Sequence, residues 1–425
     1  MKNENPNSKT AMHVRVDQVA WRNIIHFHKI TRAATLALQP NRMIMGLILI
    51  TIVMVSGTIW DAIMPLPKST ADISPAYIEE NVHDFQTYRI NNGYTTSFKQ
   101  AGMICTTSIY LAETNLIHFN LVQAVASIVR LPVVLAKYLW TTDKLFLFIF
   151  GPWFIFIWCI FSTMICRSAA CDFTVNQQIP WTEALAFSLR RWMNTVGSFA
   201  LPSTVIISGL VALGLGGLLF HVPVLNIFAA LLYGLALFGG FIIVSIIILS
   251  ILGSVLFIPA VAVESADATD ALARGFSYVK NRPLHFVLYM LLAIIIGLIA
   301  MTIVGYLAQL TLDLTSTGAQ LFTTSQLADY AAKPPASAFS TSSPPPPIST
   351  GTPGVAAAIL SWWGTVVGAV VTGFIISYLC SAQTVIYFLM RKATDDQALD
   401  EIWVEGMIEG TLAPERMLDE NNKDD

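Results

Sequence analysis

The chain has 425 residues, 55% of them hydrophobic and only 12% charged, with mean hydropathy +0.62 and formal net charge -3. A soluble protein carries about a quarter charged residues, so a soluble enzyme domain is excluded for most of the length, and nothing in the charge balance points to nucleic acid. Residues 145–166, 192–263, 283–312 and 334–390 contain no Asp, Glu, Lys or Arg. A helical span needs about 20 apolar residues, whereas a transmembrane barrel would show alternating segments of about ten. The expected fold class is all-α: a polytopic transmembrane helix bundle of about six spans, with interfacial helices.

Residues 1–42 form a basic tail. Within it, Trp21–Leu38 is predicted to be a basic amphipathic helix on the inner leaflet. His26 and His28 stand two apart, so on a helix they face nearly opposite ways, and no carboxylate or Cys is close in sequence. They are not assigned to a metal. The first span is 43–62, read as an uncleaved signal anchor because no small-x-small site follows it.

Residues 63–144 read as an extracytoplasmic loop. Asn92-Gly93, flanked by Tyr88, Ile90, Tyr94 and Thr96, predicts a small β-hairpin. Residues 101–140 are apolar but interrupted by Glu113, His118, Arg130 and Lys137, which predicts amphipathic helices on the outer face. If this stretch spans, it must cross twice to keep the parity.

The core is 145–312. Its spans are predicted at Leu145–Cys166, Ser198–Phe220, within 221–263, and at Leu284–Leu307. The 221–263 run reads in two ways. It is either two spans broken near Gly239-Gly240, or a short interfacial or re-entrant segment from Pro223 followed by one span to about Phe257. The rule that cytoplasmic flanks collect Lys and Arg favours the second. With six spans and both termini inside, 17 of the 24 basic residues fall on the cytoplasmic side; an extra crossing would move Arg274, Lys280 and Arg282 outside.

Two stretches of this core align without gaps. Thr182-Glu183-Ala184-Leu185-Ala186 matches Thr269-Asp270-Ala271-Leu272-Ala273, Asn194 matches Asn281, and Phe199 matches Phe286. This implies a duplicated hairpin, each copy built as span, cytoplasmic amphipathic helix, span, about an axis along the membrane normal. Each Thr is expected to cap its helix, with the acid beside it at the positive pole and the basic residues near the other end. Arg190, Arg191, Trp192, Arg274, Lys280 and Arg282 are the candidate contacts to lipid headgroups or to a partner; snorkelling at the interface also accounts for their charges.

Residues 313–353 include "KPPASAFSTSSPPPPISTGTP" and read as an extracytoplasmic linker with polyproline II character. The last span is 354–390. The acidic tail 391–425 follows, and "RKATDDQALDEIWVEGMIEG" is expected to be a short cytoplasmic helix that docks Leu399, Ile402 and Trp403.

No catalytic constellation emerges. HExxH, GxSxG and the P-loop are absent, and the glycines of "GLVALGLGG" lie inside a span, where close helix packing explains them. The five cysteines are scattered and read as small buried hydrophobes. Glu113, His118 and His83 would be the only motive for an enzyme; Ser208, Ser245 and Gln383 would line a cavity in a permease.

The stretch "IPAVAVESADATDALARGFSYVKNRPLHFVLY" resembles a broad group of bacterial polytopic membrane proteins without assigned activity. More distantly it is similar to the membrane domain of glycerophosphodiester phosphodiesterases. The shared positions are Pro259, Asp270-Ala271-Leu272 and Arg282-Pro283, and the likeness runs from about Leu145 to Trp403. It implies a multi-pass protein of a bacterial inner membrane. The soluble phosphodiesterase domain is absent, so that activity does not carry over. The expected function is a non-catalytic membrane scaffold or accessory subunit, without cofactors, whose partners are the bilayer and other membrane proteins or further copies of itself. The alternative is a permease or binding protein for an apolar or lipid-like substrate.

Overall fold

A computed structural model describes residues 28–64, 96–221, 225–321, 352–407 and 409–410. The expected Asn92-Gly93 hairpin, His26 and the proline-rich part of the linker lie outside the described residues.

Helix α1, His28–Ala37, buries Ile30, Ala33, Leu36 and Ala37, which share one face at helical spacing. That face packs on α10 and α11, so this amphipathic helix docks on the bundle. Pro40 suits the first turn of α2, Pro40–Ile63.

Residues 97–142, expected as surface helices, form an antiparallel pair, α3 (Ser97–Ile117) and α4 (Leu121–Thr142), turning at Phe119 with φ 59°. Asp61 of α2 accepts from the Phe98 and Lys99 amides at 3.0 and 3.3 Å, a carboxylate at the start of α3. Asp143 accepts from Ser97 Oγ at 2.6 Å and from the Phe146 amide at 3.0 Å. Both ends of the pair are therefore held at the far end of α2, and the parity is kept if the pair crosses.

A π-helical turn, Phe146–Phe150, leads into α5, Gly151–Val175. Helix α6, Trp181–Leu218, is continuous, where an amphipathic helix and a separate span were expected. No proline interrupts it at the junction, and it tolerates Pro202 further on. In the second stretch, α9 (Ala268–Asn281) and α10 (Pro283–Gln320) do part company at Arg282, because Pro283 starts a new helix. Neither expected threonine caps its helix. Pro180 and Asp267 hold the cap positions, without a side-chain capping bond.

The 221–263 run takes the second of its two readings. A short helix α7, Leu225–Leu231, precedes one long helix α8, Tyr233–Glu264, which passes unbroken through Gly239-Gly240. Helix α11, Thr352–Asp395, is one piece. Beyond it the expected tail helix does not form: Asp396 sits at φ 55°, and the described residues 396–410 run as an irregular strap.

Among the described residues, seven helical segments are long and apolar enough to cross a membrane: α2, α4, the π-turn with α5, α6, α8, α10 and α11. The six expected spans are among them, and α4 is the addition. Its Arg130 and Lys137 are exposed, so their long stems leave the apolar surface intact. No strand occurs among the described residues. The chain is an all-α polytopic transmembrane bundle.

The core lies toward one end, where α1, α5, α8, α9, α10 and α11 meet around Phe374, Tyr378, Val385, Phe388 and Met390. The other halves of α6 and α8 leave this core and pack mainly on each other. A Cβ at Gly209 would lie 2.9 Å from Ile243, and one at Gly239 would lie 3.7 Å from Leu213. Their outer faces, with Val205, Ile207, Leu215, Leu235, Phe238 and Phe241, are exposed.

Candidate functional site: a closed polar end

The charges of α5, α6, α8 and α11 gather at the end of the bundle that holds the core. Glu264, the last residue of α8, is 1% exposed. It accepts a hydrogen bond from the Tyr387 hydroxyl at 2.8 Å and from Arg391 Nη1 at 3.2 Å, and it pairs with Arg274 Nη1. One carboxylate thus joins α8, α9 and α11. A single removed charge here would leave two guanidinium groups short of their counter-ion.

The strap closes over this cluster. Arg391 Nη2 donates to the Ala398 and Glu401 carbonyls at 2.9 and 2.7 Å. The Trp403 amide donates to the Val263 carbonyl at 2.9 Å, and the Gly410 amide to the Glu264 carbonyl at 3.1 Å. These are carbonyls of the last turn of α8, which has no further helical donors to offer them. Arg167 donates to the Ala262 and Trp403 carbonyls at 3.0 and 2.8 Å, and Arg274 to the Gly410 carbonyl at 2.7 Å. At the rim, Arg190 meets Glu405 at 2.8 Å, and Arg191 Nη1 meets Glu409 at 2.6 Å. Ile402 and Trp403 are buried, as the sequence pattern expected, although no helix carries them.

A second buried pair secures α2 to α5. Arg42 is fully buried and lies 2.7 Å from Asp172; its other nitrogens donate to the Leu36 and Ser168 carbonyls at 2.7 and 3.1 Å. Gln39 Nε2 donates to the same Asp172 oxygen at 2.5 Å.

The network also shifts ionisations. Burial above all raises the Tyr278 hydroxyl, and its hydrogen bond to Asp395 at 2.5 Å adds to this. Burial works against the charge of Arg274, but Tyr387 and Glu264 outweigh it and the guanidinium is held charged. The bond from Arg191 holds the Glu409 carboxyl below the usual range. That pair is therefore complete above the ordinary carboxylate range and loosens only as pH falls through the lowered value.

Three of the six candidate contacts, Arg190, Arg191 and Arg274, come together beside the strap, where strap carboxylates or Glu264 already pair with them. Asn194 Nδ2 donates to Asp267 at 3.2 Å and Gly197 abuts Ala268, so the two aligned stretches lie side by side. Trp192 faces Phe156 edge-on at 5.2 Å. Lys280 and Arg282 are exposed at the α9–α10 junction, without an ion pair among the described residues.

Glu264, Arg391, Arg42 and Asp172 are not among the candidates that the sequence pattern offers. The available signal was an acid at the end of a charge-free run, since a carboxylate ending a buried helix needs a cation. Among the described residues the other candidates are not brought together. Glu113 is buried in α3, His118 is exposed in the turn after it, and His83 lies outside the described residues. Ser208 is exposed and Ser245 half-buried, and both bond to their own helices, whereas Gln383 sits in α11. All five cysteines are free. Among the described residues no three His, Cys, Asp or Glu are grouped to hold a metal. Among the described residues, Glu264, Arg274 and Arg391 bond to groups of the same chain, an arrangement that clamps helices together. No family model, curated protein or solved structure matches this chain.

Proposed function

We propose that the protein is a non-catalytic integral membrane scaffold or accessory subunit. The observation that carries this reading is the contrast between its two ends. The polar end is closed on itself by Glu264, Arg274, Arg391 and the strap, as a rigid platform needs. At the other end, α6 and α8 extend an apolar arm that contributes little to the fold's own core. Such an arm offers a surface for other membrane helices, whose association relies on packing and close backbone approach. Purification in a mild detergent, followed by mass measurement, is expected to give an assembly larger than one chain. A monodisperse single chain that moves a solute across vesicles would refute the proposal.

The positive-inside rule places the polar end in the cytoplasm, with both termini on that side of a cytoplasmic membrane. A duplication of the hairpin would account for the way the two aligned stretches lie side by side, with Asn194 against Asp267. Cysteines placed at Asn194 and Asn281 should both resist a membrane-impermeant thiol reagent added to intact cells, while one at Ser340 should react. Labelling of Asn281→Cys without Asn194→Cys would overturn both the orientation and the shared side.

A further inference from the structure

A cavity of about 440 Å³ opens beside α1, lined by Lys29 and Arg32 of α1, Phe173 and Thr174 at the end of α5, and Leu399 and Asp400 of the strap. It takes no part in the Glu264 clamp. Its size falls in the range of small-molecule sites, roughly 300–1,000 Å³. Arg32 is fixed in place: it donates to the Phe173 and Asp172 carbonyls at 3.4 Å each and to Asn176 Oδ1 at 2.5 Å, and it lies 5.2 Å from the centre of the Phe173 ring. All of these partners are neutral, so its charge is not cancelled. Lys29 is half-buried and Asp400 exposed, and neither has a partner among the described residues. Thr174 donates its hydroxyl to the Ala170 carbonyl at 2.9 Å, which leaves its oxygen lone pairs free to accept. Phe173 is itself stacked on Phe388 at 5.2 Å and forms a rigid apolar wall.

We infer that this cavity binds a phospholipid headgroup that carries both a phosphate and an amine. The phosphate is the ligand that two uncancelled cations select. The ammonium is the ligand that a partnerless carboxylate and an acceptor-only hydroxyl select. The acyl chains would leave along the apolar side of Phe173 and Leu399, since α5 is a candidate span whose last turn supplies the wall. This inference stands apart from the scaffold reading, and either survives the failure of the other.

The test uses the full-length protein in detergent, titrated with dihexanoyl phosphatidylethanolamine, dihexanoyl phosphatidylglycerol and inorganic phosphate, with bound ligand counted by native mass spectrometry. Phosphatidylethanolamine should bind several-fold more tightly than phosphatidylglycerol. Lys29→Gln should weaken both lipids about tenfold, the scale of one lost charge-assisted contact. Asp400→Asn should erase the preference for the amine. Neither side chain has a partner among the described residues, so both variants should melt with the parent protein. Binding unchanged in Lys29→Gln, equal affinity of the parent for the two lipids, or inorganic phosphate bound as tightly as lipid would each overturn the assignment.

Discussion

Glu264→Ala should lower the stability of the folded protein by about 3–5 kcal/mol, the scale for breaking a buried ion pair from one side. The carboxylate is 1% exposed, Arg391 is fully buried, and the Arg274 side chain is only 25% exposed. Removing the acid therefore strands one guanidinium with no water and a second with little. Tyr387 loses its acceptor in the same step. Glu264→Gln keeps an acceptor for Tyr387 while losing the charge, so it should fall between the parent and Glu264→Ala. The double variant Glu264→Ala with Arg391→Met should be more stable than the sum of the two single changes, because the second removes the charge that the first left unpaired. Thermal unfolding in detergent, followed by size-exclusion chromatography, reads all three. A Glu264→Ala protein that melts with the parent would show that the clamp does not hold the polar end.

The elements of this bundle were legible wherever a helix had to be apolar for its whole length. The charge-free runs 192–263, 283–312 and 334–390 mark α6, α8, α10 and α11 because no other structure satisfies the backbone in hydrocarbon. The charge count selected one long helix over two in 221–263. Helix α4 was under-read because Arg130 and Lys137 lower its hydropathy without touching its packing face. The break between α9 and α10 was visible in Pro283, and the absence of one in α6 was equally visible in hindsight, since nothing between Arg191 and Leu201 stops a helix.

The polar end was harder to read, for a physical reason. Arg167, Arg190, Arg191, Arg274 and Arg391 were counted as charges on one side of the membrane, and that count does not depend on what each one touches. Their partners are brought close by the fold alone: Glu264 lies 127 positions from Arg391 and Asp172 lies 130 from Arg42. The strap was misread as a helix because Leu399, Ile402 and Trp403 have helical spacing. It stays irregular because Arg391, Arg167 and Arg274 draw on its carbonyls, which a helix would have kept for its own amides.

Gly46→Val should be the most disruptive change among the glycines. A Cβ at Gly46 would stand 2.5 Å from the Gly373 carbonyl oxygen, and one at Gly373 would stand 3.0 Å from the Leu47 nitrogen. These are backbone atoms, so no side chain can swing aside to make room; α2 and α11 must separate. Overpacking of this kind costs about 1–3 kcal/mol and occasionally more. More is expected here, because α2 also packs on α5 through Met45 and Leu49 and through the buried Arg42–Asp172 pair. Gly46 is four residues from Arg42, one turn along the same helix. A shift large enough to clear Gly373 therefore moves the guanidinium, which is tied at 2.7 Å to Asp172 and at 3.1 Å to the Ser168 carbonyl. Gly368→Val, on α11 where a Cβ would meet nothing within 4 Å, is the matched control and should stay within about 0.5 kcal/mol of the parent. Reversible thermal unfolding in the same detergent distinguishes the two. If Gly46→Val and Gly368→Val melt together, α2 and α11 are not in backbone contact, and the joint that carries Arg42 to Asp172 is built in some other way.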